Sequence, residues 1–355
     1  MFSKKLLLTH ILIFTIISFN SIVMAGINFK GPELVLELSA GNEPGQVTIV
    51  PVPEGGGWHW PNDFAMDYEG NIWILDWLYG SKNLGKRAET KGRVQKFSVK
   101  GDYLLQFPDN SSFTEPLICQ YLRVDQNGNV VIGPLMTSQL IVINKEGRFL
   151  RKIPFYVPKG YSVDFGINSL GEIIYFYKGD LIVMNIEGKI IYTLENMPFI
   201  EGKRVSPYSK FIFYKRFVGK QITQYSGELR NKVEKNLELS KPVQPELQNA
   251  IGQEVLQCDA EGNMFIMSLI TKKPYVEKIL FYDANGNFVN ILPDCPKFSI
   301  NQERRVVNVL YKTDIDGNFY QMEVAPPEDA EIVPFEPIKS SKPCLRIWKW
   351  ERIKE

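Results

Sequence analysis

Short apolar runs alternate with polar turns along this chain, and the alternation repeats. An apolar run gives way to a turn of the form Asp-x-x-Gly-Asn, and a second apolar run follows at once. The pattern reads Asp67-Tyr68-Glu69-Gly70-Asn71 before Ile72-Trp73-Ile74, and Asp125-Gln126-Asn127-Gly128-Asn129 before Val130-Val131-Ile132. It returns as Asn168-Ser169-Leu170-Gly171-Glu172, Asp259-Ala260-Glu261-Gly262-Asn263 and Asp314-Ile315-Asp316-Gly317-Asn318, with Ser206-Pro207-Tyr208-Ser209-Lys210 as a worn copy. Such runs, bounded by Asp, Asn and Gly, predict strands joined by hairpins. The Asp side chain caps each turn, and Gly supplies the positive φ that other residues resist.

A second turn follows each time. Val94 to Phe97 leads to Gly101-Asp102-Tyr103-Leu104, and Leu140 to Ile143 to Gly147-Arg148-Phe149-Leu150. Leu181 to Met184 leads to Gly188-Lys189-Ile190-Ile191, and Ile279 to Tyr282 to Gly286-Asn287-Phe288-Val289. Each unit is thus four strands, and no unit shows the 3.6-residue spacing of a helical repeat. Four-stranded units recurring about every 40 to 55 residues predict the blades of an all-β propeller. Six blades fit, over approximately 58–107, 116–155, 159–196, 199–250, 252–293 and 304–355. The last lacks a fourth strand. Residues 31–39, with Leu34-Val35-Leu36-Glu37-Leu38, match the fourth-strand pattern and are expected to close the ring by completing that blade, which removes an open edge.

These turn motifs and their flanking strands resemble the NHL-repeat family of six-bladed propellers over nearly the whole chain except blade four. The resemblance implies a scaffold that serves either for binding or as a frame for hydrolases and lyases, and fold alone does not choose between them.

Composition narrows the classes. With 44% hydrophobic and 23% charged residues the chain can bury a core, so disorder is excluded. The balance of 41 basic and 40 acidic residues offers no cationic field for nucleic acid. Residues 1–25 run from Lys4-Lys5 through an apolar stretch to Val23-Met24-Ala25, the form of a secretory signal peptide cleaved near Ala25-Gly26. The rival is an uncleaved membrane anchor, since Leu6 to Ala25 is about the length a bilayer requires. Without Lys4 and Lys5 the counts become 39 and 40, a net charge of −1. The expected product is a single exported domain over 26–355, periplasmic or extracellular and monomeric, touching a membrane only through an uncleaved N-terminus. Of the four cysteines, Cys119 and Cys258 sit in strand contexts that predict buried thiols. Export permits a Cys295–Cys344 bridge.

Chemistry is expected on the face opposite the short turns, where the irregular loops gather. That face receives Glu54 to Trp60 and the insertion Leu78 to Gly92 with Lys82, Lys86, Arg87 and Lys91. Trp58 and Trp60, flanking His59 in a Gly-rich loop, are expected either to stack on a sugar or grip a peptide, or to plug the channel mouth or cover the seam between first and last blades. The ligand-binding candidates are therefore Trp58, His59, Trp60, Lys82 and Arg87. With His59 the one histidine beyond residue 25, no multi-histidine metal centre can be built. Asp314 to Asn318 fails the EF-hand pattern and reads as a turn. Pro61-Asn62-Asp63 resembles the Pro-Asn-Asp step of gluconolactonase-like propellers. That resemblance implies Asn62 as a ligand for a divalent metal, calcium by its oxygen donors, and a metal-assisted lactonase or esterase. Inward-pointing partners are expected among Gln120, Asp164 and Glu254, with Glu254 first. The family's N-terminal metal-binding Glu has no counterpart in context. The favoured reading is a binding scaffold for a protein or glycan without a resident cofactor. The alternative is the calcium-dependent hydrolase.

Overall fold

The computed structural model describes residues 27–52, 57–79, 90–109, 113, 115, 117, 119–134, 138–155, 163–195, 204–205, 212–215, 221–226, 233–242, 247, 251–270, 276–295, 308–327, 331 and 336–354. Strand β1 (Ile27–Ser39) comes first, then a small ribbon of β2 (Val50–Val52) and β3 (Gly57–His59). The first four-stranded sheet is β4 (Asp63–Met66), β5 (Ile72–Tyr79), β6 (Thr90–Phe97) and β7 (Tyr103–Phe107). The second is β8 (Cys119–Val124), β9 (Val130–Pro134), β10 (Gln139–Ile143) and β11 (Phe149–Pro154). The third is β12 (Phe165–Ile167), β13 (Ile173–Tyr177), β14 (Asp180–Met184) and β15 (Ile190–Leu194). The fourth is β16 (Arg204–Val205), β17 (Ile212–Lys215), β18 (Gln221–Ser226) and β19 (Val233–Glu238). The fifth is β20 (Ile251–Cys258), β21 (Met264–Ile270), β22 (Val276–Tyr282) and β23 (Phe288–Ile291). The last joins β24 (Asn308–Thr313), β25 (Phe319–Val324) and β26 (Pro343–Lys354) to β1, in the order β1-β26-β25-β24.

The chain is an all-β propeller with four-stranded blades. Within each blade the strands pair antiparallel. The innermost strands touch in order: β4 with β8, β8 with β12, β12 with β16, β16 with β20, β20 with β24, and β24 with β4. Leu34 faces Trp348 and Leu38 faces Leu345 across the β1–β26 pairing, which runs further than residues 31–39, from Ile27 opposite Lys354 to Ser39 opposite Pro343. Trp58 and His59 belong to the β2–β3 ribbon and not to the first blade, which starts at Asp63. The worn copy at 206–210 lies outside the described residues.

The turns form as their sequence requires. The Asp67 carboxylate accepts backbone N–H groups from Glu69 and Asn71, while Gly70 N–H donates to the Asp67 carbonyl. Asp125, Asn168, Asp259 and Asp314 repeat this, Asn144 and Asp283 do the same in second turns, and Asn185 accepts the Lys189 N–H in another. At Gly188 the φ is 87°, and an added Cβ would lie 2.9 Å from Pro154 Cδ. At Gly171 φ is 75°, but the nearest atom would be 3.7 Å away. Gly188→Ala is therefore expected to cost about 1–3 kcal/mol, combining overpacking with a disfavoured φ. Gly171→Ala should show the smaller φ cost alone. Urea midpoints of the two variants check this, and equal midpoints would remove the packing part of the argument.

Apolar faces meet between blades. The seam between the first and last sheets buries Leu36, Leu38, Val47 and Ile49 with Phe64, Phe97, Met322 and Ile347. Between the fifth and last sheets lie Phe265, Phe281, Phe319 and Trp350. One buried ion pair pins the segment after β1. Arg93 meets Asp76 at 2.7 Å, both side chains fully buried, and donates to the carbonyls of Asn42 (2.7 Å) and Gln46 (2.8 Å). The same carboxylate accepts the Thr48 N–H at 3.0 Å. All four cysteines are free thiols, which corrects the bridge that export would permit: Cys344 packs in the seam and Cys295 in the neighbouring cluster. Cys119 and Cys258 are buried as expected, and burial pushes the Cys119 thiol well up.

Candidate functional site

Two features of the molecule carry polar chemistry. The first is the β2–β3 ribbon, where Val50 pairs with His59 and Pro51 with Trp58. His59 is exposed, while Trp58 and Trp60 are half-buried against the seam core. The indoles are thus packed against the seam cluster, which anchors the ribbon. The ribbon is tied down further where Ile338 N–H donates to the Ile49 carbonyl at 2.9 Å. Lys82 and Arg87 lie outside the described residues.

The second feature is a charged network on the innermost strands, centred on the Pro61-Asn62-Asp63 step. Asp63 is buried at the start of β4. Its Oδ1 meets Lys312 Nζ at 2.7 Å and accepts the Phe64 N–H at 2.9 Å. Its Oδ2 meets Arg123 Nη1 at 2.5 Å and accepts the Leu122 N–H at 3.0 Å. Arg123 also pairs with Asp164, donates from Nε to the Phe165 carbonyl at 2.8 Å, and lies over the Phe165 ring. Two cations and two carboxylates thus join β4, β8, the approach to β12, and β24. Burial alone would raise the Asp63 carboxyl, but Lys312, Arg123 and the N–H donors outweigh it and hold it below its ordinary value. Lys312 is lowered by burial and by the neighbouring Arg123. Arg123 is raised despite its burial, by Asp164 and Asp63.

Asn62 has a structural part in this wall. Its backbone N–H donates to the Leu75 carbonyl at 2.9 Å and its side-chain amide to the Cys119 carbonyl at 3.1 Å, which splices the first blade to the second. The residues fit a calcium ion poorly at this point. The carboxylate beside Asn62 already faces an ammonium and a guanidinium, and both would repel a metal. Glu254 is exposed on β20, and β20 meets β4 only through β24 in the ring of innermost strands. Glu254 adds its charge instead to the surroundings of Tyr311, whose phenol is pushed up by burial and then by Glu277 and Glu254. Among the described residues no three His, Cys, Asp or Glu side chains converge as a metal cage.

Of the inward candidates, Asp164 joins the network. Asp63, Arg123 and Lys312 were not singled out from sequence. A signal existed: Arg123 and Lys312 each stand two residues before a turn Asp, a position held by Arg204 before the worn copy and by Ala65, Gly166 and Gln257 in the other repeats. A cation on an innermost strand, where neighbouring blades close in, requires a buried partner.

No family model matches the chain, and no curated protein matches it. Solved structures similar to it include virginiamycin B lyase from Staphylococcus aureus, at 12% identity and TM-score 0.46, over 92% of this chain and 100% of that one. The RRP9 WD40 repeats align at 9% identity and TM-score 0.49, over 91% and 100%. A DUF4221 family member from Bacteroides vulgatus aligns at 10% identity and TM-score 0.48, over 91% and 99%.

Proposed function

We propose that this chain is an exported, NHL-like propeller of six blades, its ring closed by β1, which binds a protein or glycan partner on its loop face. Six four-stranded sheets, the sequential contacts of their innermost strands and the β1–β26 pairing support the ring. One observation carries the binding reading over the calcium-dependent hydrolase. The Pro61-Asn62-Asp63 step is spent on blade-to-blade contacts, its amide on the Cys119 carbonyl and its carboxylate on Lys312 and Arg123. What remains presented is His59, held out on a hydrogen-bonded ribbon whose flanking indoles are anchored in the seam. A ligand meeting that ribbon finds an ordered surface, which lowers the ordering cost of binding.

A thermal-shift screen with Ca²⁺, EDTA, lactones and a panel of oligosaccharides tests the reading, because a ligand that binds the folded state alone raises its melting temperature. An oligosaccharide that stabilises the protein should lose at least tenfold in affinity in His59→Ala, and as much in Trp58→Ala/Trp60→Ala, while Asn62→Leu keeps it. Stabilisation by Ca²⁺ that EDTA reverses and Asn62→Leu abolishes would overturn this in favour of the hydrolase.

A further inference from the structure

The charged network on the innermost strands holds more hydrogen-bond donors than it uses among the described residues. A guanidinium carries five N–H groups and an ammonium three. Arg123 spends Nε on the Phe165 carbonyl, Nη1 on Asp63 and the Leu122 carbonyl, and one N–H of Nη2 on Asp164. Lys312 Nζ meets Asp63 Oδ1. One N–H of Arg123 and two of Lys312 are left over, on side chains that keep 17% and 16% of their surface in solvent. The spacing of the two cations is fixed, because they bind the two oxygens of one carboxylate, Asp63, from its buried side. Asp164 shows that the outer side of Arg123 accepts a second carboxylate. That carboxylate is 46% exposed and precedes β12 rather than belonging to it. Beside β8, strands β4 and β12 carry Ala65 and Gly166 at the position Arg123 holds, two residues before the turn, so no long side chain competes at that level.

We propose that Arg123 and Lys312 form a binding site for the carboxylate of a small acidic ligand, which displaces Asp164 and bridges the two cations. This site is separate from the β2–β3 ribbon and does not depend on what the ribbon binds. A two-oxygen anion suits the pair because Asp63 already spans it with one oxygen on each cation, and a ligand carboxylate meets the same two groups from the open side. Such bonds join charge to charge and are stronger than those between neutral groups. The exchange conserves charge: one carboxylate swings into water as another takes its place. Asp63 keeps its hold on both cations throughout, with the Leu122 and Phe64 N–H groups still on its oxygens, so the strands stay fastened while the outer partner changes. A neutral ligand gains none of this, and a metal cation is repelled by the two positive groups.

The test is calorimetric titration with acetate and with D-glucuronate at constant ionic strength, D-glucose serving as the neutral control. Asp164→Ala removes the internal competitor from an exposed position and should tighten binding of both carboxylates at least fivefold. Asp63→Asn/Lys312→Met removes one negative and one positive charge, so the net charge of the network is unchanged and the missing ammonium is isolated. That variant should bind both carboxylates at least fivefold more weakly than the native protein. His59→Ala should bind them as the native protein does, and D-glucose should bind at the network in none of the four proteins. Absence of saturable carboxylate binding in Asp164→Ala overturns the proposal, as does equal affinity in Asp164→Ala and the native protein. Undiminished binding in Asp63→Asn/Lys312→Met would remove Lys312 from the site and overturn it too. Loss of carboxylate binding in His59→Ala would place the anion on the ribbon instead.

Discussion

Asp63→Asn is expected to destabilise the protein by about 3–5 kcal/mol, the range for breaking a buried ion pair by removing one partner. The substitution keeps the shape but leaves Lys312 and Arg123 facing each other across a neutral amide. Asp164 still answers Arg123, so the orphaned charge is chiefly Lys312. Adding Lys312→Met to Asp63→Asn should therefore recover much of the loss, whereas two independent sites would simply add. The pH dependence has a definite sign. The folded-state pKa of Asp63 lies below its ordinary value of 3.8. Its contribution is present above about pH 3.8 and is lost as pH falls through the lower, folded value. The stability gap between the native protein and Asp63→Asn should be constant near neutrality and close in acid. A gap that widens in acid, or an Asp63→Asn midpoint within 0.5 kcal/mol of the native protein, would show that the network does not bind the blades together.

Much of the architecture was legible because the turns are local. An Asp side chain caps its own backbone within four residues, so Asp67 to Asn71 and its copies could be read without knowing what packs around them. The outer position of β1 was legible for a related reason: Leu36 and Leu38 alternate with Val35 and Glu37 as an outermost strand requires, and the last blade was one strand short. The ionic network was not legible because it is a relation among four strands far apart in sequence. Asp63 and Lys312 are close only because the first and last innermost strands are neighbours, which no local pattern states. The same distance effect hid the partner of the Asn62 amide, the Cys119 carbonyl of the next blade, and the cluster against which Trp58 and Trp60 pack, built partly from β1 and β26. Polar residues of the innermost strands are thus read only after the blades have been set side by side.

A chain starting at Gly41, compared with one starting at Gly26, is expected to lose its cooperative unfolding transition and to aggregate. Ten register pairs join β1 to β26, and their removal leaves the twelve-residue β26 with an unpaired row of backbone donors and acceptors, a template for intermolecular pairing. Leu36 and Leu38 leave the seam core with it, opening the cluster that also floors Trp58 and Trp60. Phe29 leaves as well, and its ring packs edge-on against Phe265 and Phe281 of the fifth sheet at 5.6 and 5.0 Å, so the strand staples two blades. A graded measurement accompanies the deletion. Leu36→Ala in the intact chain should cost about 2–5 kcal/mol, the range for truncating a buried leucine. Adding a peptide of residues 26–40 to the shortened chain should restore solubility and the transition, because the missing strand has a preformed edge to pair with. A soluble, monomeric shortened chain with an unchanged urea midpoint would mean that β26 tolerates an open edge and that the blades hold together through their innermost strands alone. In that case the Asp63 network, rather than the outer strand, would be the principal fastening of the first and last blades, and the loss in Asp63→Asn should then exceed that in Leu36→Ala.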